Sequence, residues 1–170
     1  MTTTNHAVFI GGRCGVGKTS AAMALHSMLA ERQVRHCVVE GDTLDLAYPE
    51  PWEFGLTAKN LQAIWANYVQ LGYRRLIYTN TVSVLEMEAL AEAMGTDPVI
   101  QGILLTASDH QVYERLSLRE RGVELKRHFA RSCVIANTLM TRVPSDTFTV
   151  NTDGKTVEHV AEEILRFLEW

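Results

Sequence analysis

The run Gly12-Arg13-Cys14-Gly15-Val16-Gly17-Lys18-Thr19 constrains this chain more than any other segment. It meets the pattern G-x-x-x-x-G-K-[ST], whose residue types are set by phosphate chemistry. Glycines let the backbone curl until successive N–H groups face one anion. A helix that starts at Lys18 would turn its positive end toward the same anion. In such a loop the lysine reaches the β- and γ-phosphates and the Thr19 hydroxyl ligates Mg²⁺. The pattern therefore predicts a nucleoside triphosphate held by Gly12, Arg13, Cys14, Gly15, Val16, Gly17, Lys18, Thr19 and Ser20.

The flanks fit that expectation. Residues 7–10 (Ala-Val-Phe-Ile) form a short apolar run, read as a buried strand. From Lys18 to about residue 33, Ala21, Ala22, Leu25, Met28 and Leu29 recur at three and four residues, which predicts an amphipathic helix. Further strands are expected at 37–40, 75–79, 99–106 and 147–150. Helices are expected from Thr57 as cap through Leu71, and over 86–94, 108–121, 124–142 and 156–170. Residues 42–55, with Pro49, Pro51 and Gly55, read as a long loop of functional interest. Strands alternating with helices predict a parallel sheet covered by right-handed crossovers. With 170 residues and no visible linker, the chain reads as one domain.

Composition excludes several classes. A net charge of −4 with no basic run argues against nucleic acid and anionic membranes as partners. Three cysteines at no metal-like spacing read as reduced thiols in a cytoplasmic protein. Residues 1–6 carry no basic segment, and the apolar run after them is too short for a signal peptide or a membrane span. The six histidines show no ligand spacing and read as structural or surface residues. Trp52 is the tryptophan placed to line a substrate pocket, whereas Leu61, Ile64 and Trp65 read as core. No feature specifies an oligomeric state.

Beyond the phosphate cradle, three groups carry chemistry. Glu40 and Asp42 end the second strand, at the sheet edge where ligands of parallel α/β folds bind. Asp42 is the candidate base for a substrate hydroxyl and, with Thr19, the candidate metal ligand. The alternative makes Asp42 and Asp45 turn residues bonded to their own backbone. The third strand ends Tyr78-Thr79-Asn80-Thr81, with no acid, so Asn80 and Thr81 offer neutral hydrogen bonds to water or substrate. Arg115 and Arg119, spaced to share a helix face, are candidate cations for a charged transition state. Arg121 lies beside them, Gly122 is a candidate hinge, and Arg127 and Arg131 would join on closure. The alternative is a solvated face paired with Glu114 and Glu120. Finally, Asn151-Thr152-Asp153-Gly154-Lys155-Thr156 after the last strand is placed to wrap a nucleotide base, with Thr152, Asp153 and Gly154 as contacts; the alternative is a plain turn with Thr156 as helix cap.

Taken in order, these segments resemble the P-loop nucleoside and nucleotide kinase-like group. Within it the chain is most similar to the tunicamycin-resistance-protein-like ATP-binding proteins, with gluconate kinase and adenylylsulfate kinase more distant. The resemblance is carried by residues 10–19, by Leu104-Leu105-Thr106-Ala107-Ser108, by Arg115-Leu116-Ser117-Leu118-Arg119 and by Val150-Asn151-Thr152-Asp153-Gly154. It implies a three-layer α/β fold with a five-stranded parallel sheet ordered 2-3-1-4-5, Mg-ATP as cofactor, and a short helical lid over about 115–131. The function expected is transfer of the γ-phosphate to a hydroxyl of a small molecule. The alternative expectation is an ATP-binding protein or slow NTPase that acts without phosphotransfer.

Overall fold

The computed structural model describes residues 4–170, so the N-terminal reading for Met1 to Thr3 lies outside the described residues. Five strands form one parallel sheet: β1 (His6–Gly11), β2 (Cys37–Glu40), β3 (Arg75–Thr79), β4 (Val99–Thr106) and β5 (Phe148–Asn151). Their order is β2-β3-β1-β4-β5, as the resemblance implied. The central strand β1 pairs with β3 on one side and β4 on the other, and Ala7, Val8, Phe9 and Ile10 are completely buried. A strand covered on both faces must be apolar at every position, which explains the unbroken run in the sequence.

Alternation divides the core into two layers. Val8 and Ile10 face α1 (Lys18–Glu31) and α6 (Val157–Leu168), packing on Ala22, Leu25, Ala161 and Ile164. Ala7 and Phe9 point the other way, toward α2 (Leu56–Gln70) and α3 (Ser83–Met94), where Leu61, Trp65 and Leu90 fill the layer. Trp65 and Leu61 are core as expected, and Ile64 packs partly buried against them. The Trp65 indole N–H donates to Thr96 Oγ1 at 2.8 Å, so burying the large ring leaves no orphan donor.

The remaining helices, α4 (Asp109–Ser117) and α5 (Gly122–Arg142), follow β4. Val112, Leu116 and Leu125 form a small separate cluster that packs on Cys14, directly against the glycine loop. No helix among the described residues is long and apolar enough to cross a membrane. Cys14, Cys37 and Cys133 are free thiols.

Several boundaries differ from the sequence reading for local physical reasons. Thr57 does not cap α2. Its hydroxyl donates to Asp45 Oδ2 at 2.8 Å, and the helix starts at Leu56 after Gly55 in the left-handed region. Helix α3 begins at Ser83 rather than 86, directly after the turn at Asn80. Ser108 does cap α4, accepting from the Gln111 N–H. That helix stops at Ser117 rather than continuing to 121.

Candidate functional site

Residues 12–17 leave the C-terminal end of β1 and turn directly into α1. Gly12 sits at φ +147°, and a Cβ there would lie 2.6 Å from the Leu105 carbonyl oxygen. Only glycine serves at that position, because both the backbone angle and the neighbouring strand exclude a side chain. The Gly12 N–H donates to Thr81 O at 3.1 Å, tying the loop to the end of β3. Lys18 Nζ donates to Gly12 O at 2.8 Å and Arg13 O at 3.3 Å, folding back over the loop. Burial lowers the Lys18 ammonium from its ordinary value, and the charges of Asp42 and Glu40 oppose that shift.

No side chain caps the start of α1. Its first N–H groups therefore face the cleft as unused donors, which suits an anion. The hydroxyls of Thr19 and Ser20, exposed on the first turn, make no side-chain hydrogen bond among the described residues. A cation on a loop of inward N–H groups, beside a free hydroxyl and an acid, fits the phosphates and Mg²⁺ of Mg-ATP.

The acid is Asp42. It lies on a 3₁₀ turn, Gly41–Thr43, that follows β2. Asp42 Oδ1 accepts from Asn80 Nδ2 at 2.8 Å. Asn80 is itself fixed: its Oδ1 accepts from Val82 N at 2.9 Å, and its own N–H donates to Ile10 O at 3.3 Å. Asn80 thus aims the acid. The β2–β3 register, with Glu40 opposite Thr79, brings the two side chains together. Glu40 is half-buried and does not line the cleft.

The cleft itself has a volume of ≈ 720 Å³ and is lined by residues 14–21, Asp42, Arg115, Arg119, Thr152 and residues 155–158. Of the arginine candidates, Arg115 is bound most tightly to the loop. Its Nη1 donates to Gly15 O, Val16 O and Thr152 Oγ1, and its Nη2 to Thr152 O, at 3.0–3.4 Å. Those donors hold the glycine loop against the β5–α6 segment, so Arg115 braces the cradle instead of offering a free cation. Arg119 does not continue its helix face, because α4 ends at Ser117; it lies in the following turn, exposed, and lines the cleft. Arg127 pairs with Glu124 at 3.4 Å and Arg131 is exposed on α5; neither lines the cleft.

Two sequence candidates point elsewhere. Arg13 is 4% exposed and directed away from the cleft, with Nη1 on Asp109 Oδ1 at 2.6 Å and Nη2 on Ala107 O at 2.9 Å. Only its backbone belongs to the cradle. Asp153 accepts the Ser108 N–H on both carboxyl oxygens at 3.0 and 2.9 Å, clasping two loops together, and neither it nor Gly154 lines the cleft. Thr152 does line it, and so do Lys155 and Thr156 of the same predicted loop, together with Val157, which the sequence reading had not selected and whose one signal was its position directly after that loop. Trp52 is 72% exposed, standing in the 42–55 loop outside this cleft.

No protein-family model matches the chain, and no curated protein matches it in sequence. Solved structures share its fold. A tunicamycin resistance protein from Deinococcus radiodurans is 22% identical, with a TM-score of 0.67, covering 96% of this chain and 95% of that one. An APS kinase from Mycobacterium tuberculosis, in complex with AMPPNP and APS, is 21% identical with a TM-score of 0.63, covering 98% and 99%. A gluconokinase from Sinorhizobium meliloti is 17% identical with a TM-score of 0.62, covering 96% and 91%.

Proposed function

We propose that this protein is an ATP-dependent kinase for a small hydroxylated molecule. The observation that carries the reading is the placement of Asp42: Asn80 directs its carboxylate into the same cleft as Lys18 and Thr19. Phosphoryl transfer asks the protein mainly for positioning and charge, and these three side chains supply both. The acceptor hydroxyl gives its proton to the Asp42 carboxylate as its oxygen bonds to the γ-phosphorus. The bond from that phosphorus to the β,γ-bridging oxygen breaks, and ADP leaves with the electron pair. Lys18 stabilises charge on the β- and γ-phosphates. Thr19 and Asp42 would hold Mg²⁺, which neutralises charge shared between those phosphates.

Arg119, exposed in the turn after α4 and lining the cleft, is the cation that would meet the γ-phosphate, whereas the start of the expected lid at 115 is anchored to the glycine loop. Thr152, with residues 155–157, receives the base. Two similar folds are kinases by name, and one of them holds AMPPNP and APS together, in line with a donor and an acceptor sharing one structure. A second reading, an ATP-binding protein or slow NTPase, draws on the absence of an acid at the end of β3, which leaves Asp42, after β2, and Glu158, on α6, as the carboxylates lining the cleft among the described residues.

The test is ADP release in the presence and absence of a metabolite panel, with Lys18→Ala and Asp42→Asn as controls. The kinase reading expects acceptor-dependent ADP formation, lost in both variants. Acceptor-independent release of phosphate alone would favour the second reading.

A further inference from the structure

A phosphate cradle works only if its peptide units face the right way. A peptide unit is planar and trans, so its C=O and N–H point in opposite directions. Whatever fixes a loop carbonyl therefore also fixes the next residue's N–H, opposite to it. In this loop every carbonyl from Gly12 to Val16 has a partner. Lys18 Nζ donates to Gly12 O and Arg13 O, and the Val16 N–H also donates to Arg13 O. Arg115 donates to Gly15 O and Val16 O, and the Thr152 hydroxyl adds a second bond to Val16 O. The remaining carbonyl, Cys14 O, accepts from Ser132 Oγ at 3.1 Å.

Ser132 differs from the other donors. It reaches the loop from α5, 118 residues further along the chain, and is 3% exposed. A hydroxyl inside a helix commonly returns its proton to a carbonyl one turn back, as Thr138 and Thr141 do on the same helix, to Val134 O and Asn137 O. Ser132 gives its proton to the loop instead. The neighbouring packing lies on the same side. The Cys14 side chain packs on Val112, Leu116 and Leu125. Gly15 has φ +82°, and a Cβ there would meet Val112 Cγ1 at 3.1 Å and Leu116 Cγ at 3.2 Å. Helices α4 and α5 thus occupy one side of the Cys14–Gly15 peptide, and the cleft that both residues line occupies the other. The Gly15 N–H donates to no protein group among the described residues.

We infer that Ser132 is a positioning residue for the nucleotide: its hydroxyl holds the Cys14 carbonyl toward α5 and so turns the Gly15 N–H toward the phosphates. Ser132 touches no phosphate itself. Its role rests on the loop being the nucleotide site, as proposed above, and not on transfer to an acceptor. Glycine takes either sign of φ at little cost, so the peptide before Gly15 has no steric guard of its own against rotation. Without the Ser132 bond it can turn its carbonyl into the cleft, where an oxygen lone pair opposes an anion and one N–H is lost from the cradle.

The first measurement needs no variant. In ¹H–¹⁵N spectra of the full chain, the Gly15 amide proton should move downfield on addition of Mg-ADP or of tripolyphosphate, and stay in place with adenosine. The second is calorimetry on Ser132→Ala, with far-UV circular dichroism confirming its fold. Mg-ATP, Mg-ADP and tripolyphosphate should each bind about fivefold more weakly than to wild type, the order of one hydrogen bond, and the Gly15 shift should shrink with them. A Gly15 amide that ignores phosphate in the wild type overturns the inference whether or not the variant folds. Full affinity in a folded Ser132→Ala chain overturns it too, and leaves the bond as packing alone. A wild type that binds no nucleotide removes the cradle and the role of Ser132 together. The expected shifts and affinities without ADP release for any acceptor uphold Ser132 and remove the kinase reading alone.

Discussion

At the scale of single residues, the site depends on side chains that hold other side chains. Asn80 does not line the cleft, but its amide fixes Asp42 from one strand away. Asn80→Ala is therefore expected to lower kcat about tenfold while leaving nucleotide affinity within about twofold, because one hydrogen bond to a carboxylate is worth about 1.5 kcal/mol. Steady-state kinetics separate the two parameters. An equal loss of nucleotide affinity would place Asn80 in the nucleotide site instead. This residue also shows where sequence reading stops. Its neutral side chain after β3 was legible. Its partner was not, because the Glu40–Thr79 register that joins them spans about forty residues of chain.

His36 yields a pH prediction. Its Nδ1 donates to Val34 O at 2.7 Å, so its Nε2 accepts from His26 Nδ1 at 2.8 Å. Burial lowers the His36 pKa below its ordinary 6.5, with His26 and Arg75 adding to the shift and the Val34 carbonyl opposing it. Burial and Arg75 lower His6 in the same direction. The unfolded chain then takes up protons first as pH falls, so stability is lost on acidification through the ordinary histidine range and levels off below the folded pKa. The urea midpoint should drop between about pH 7.5 and 5.5, and His36→Gln should flatten that slope. A midpoint that rises over this interval would contradict the burial of the neutral ring.

At the scale of elements, α4 and the turn after it divide the work between two arginines that spacing alone had paired. The helix ends at Ser117, so Arg115 braces the glycine loop and Arg119 remains in the cleft. Arg119→Ala is expected to cost on the order of a hundredfold in kcat, the size of one lost transition-state donor, with little change in melting temperature. Arg115→Ala should instead destabilise the fold by about 2 kcal/mol, since it removes charge-assisted bonds to loop carbonyls. Thermal melts and single-turnover rates distinguish the two, and a reversal of these phenotypes would exchange the roles.

The elements themselves were largely legible. Strands β2, β3 and β4 follow apolar runs bounded by turns, and each matches the sequence reading. Helix starts were less legible where a polar side chain had two options. Thr57 satisfies Asp45 rather than its own helix, a tertiary choice absent from local sequence.

At the scale of the molecule, one parallel sheet carries both halves of the cleft at its C-terminal edge. The glycine loop rises from the central strand, with β3 and β2 on the side of Asp42 and β4 and β5 on the side of Thr152. Two crossovers leaving β1 and its neighbours in opposite directions open a crevice there, the site where open α/β sheets bind ligands. Nucleotide should therefore stabilise the whole fold. At about a hundred times its Kd, Mg-ATP adds about 2.7 kcal/mol, or roughly 5–10 °C for a chain of this size. Lys18→Ala should abolish the shift in a thermal melt, and a shift retained in that variant would place the nucleotide elsewhere.

The most direct test of phosphoryl transfer is ³¹P NMR of the protein with Mg-ATP and a panel of small hydroxylated molecules. The account predicts a new phosphomonoester signal growing in step with ADP, present in wild type and lost in Asp42→Asn. Formation of inorganic phosphate alone, or of the same ester at full rate by Asp42→Asn, would contradict it.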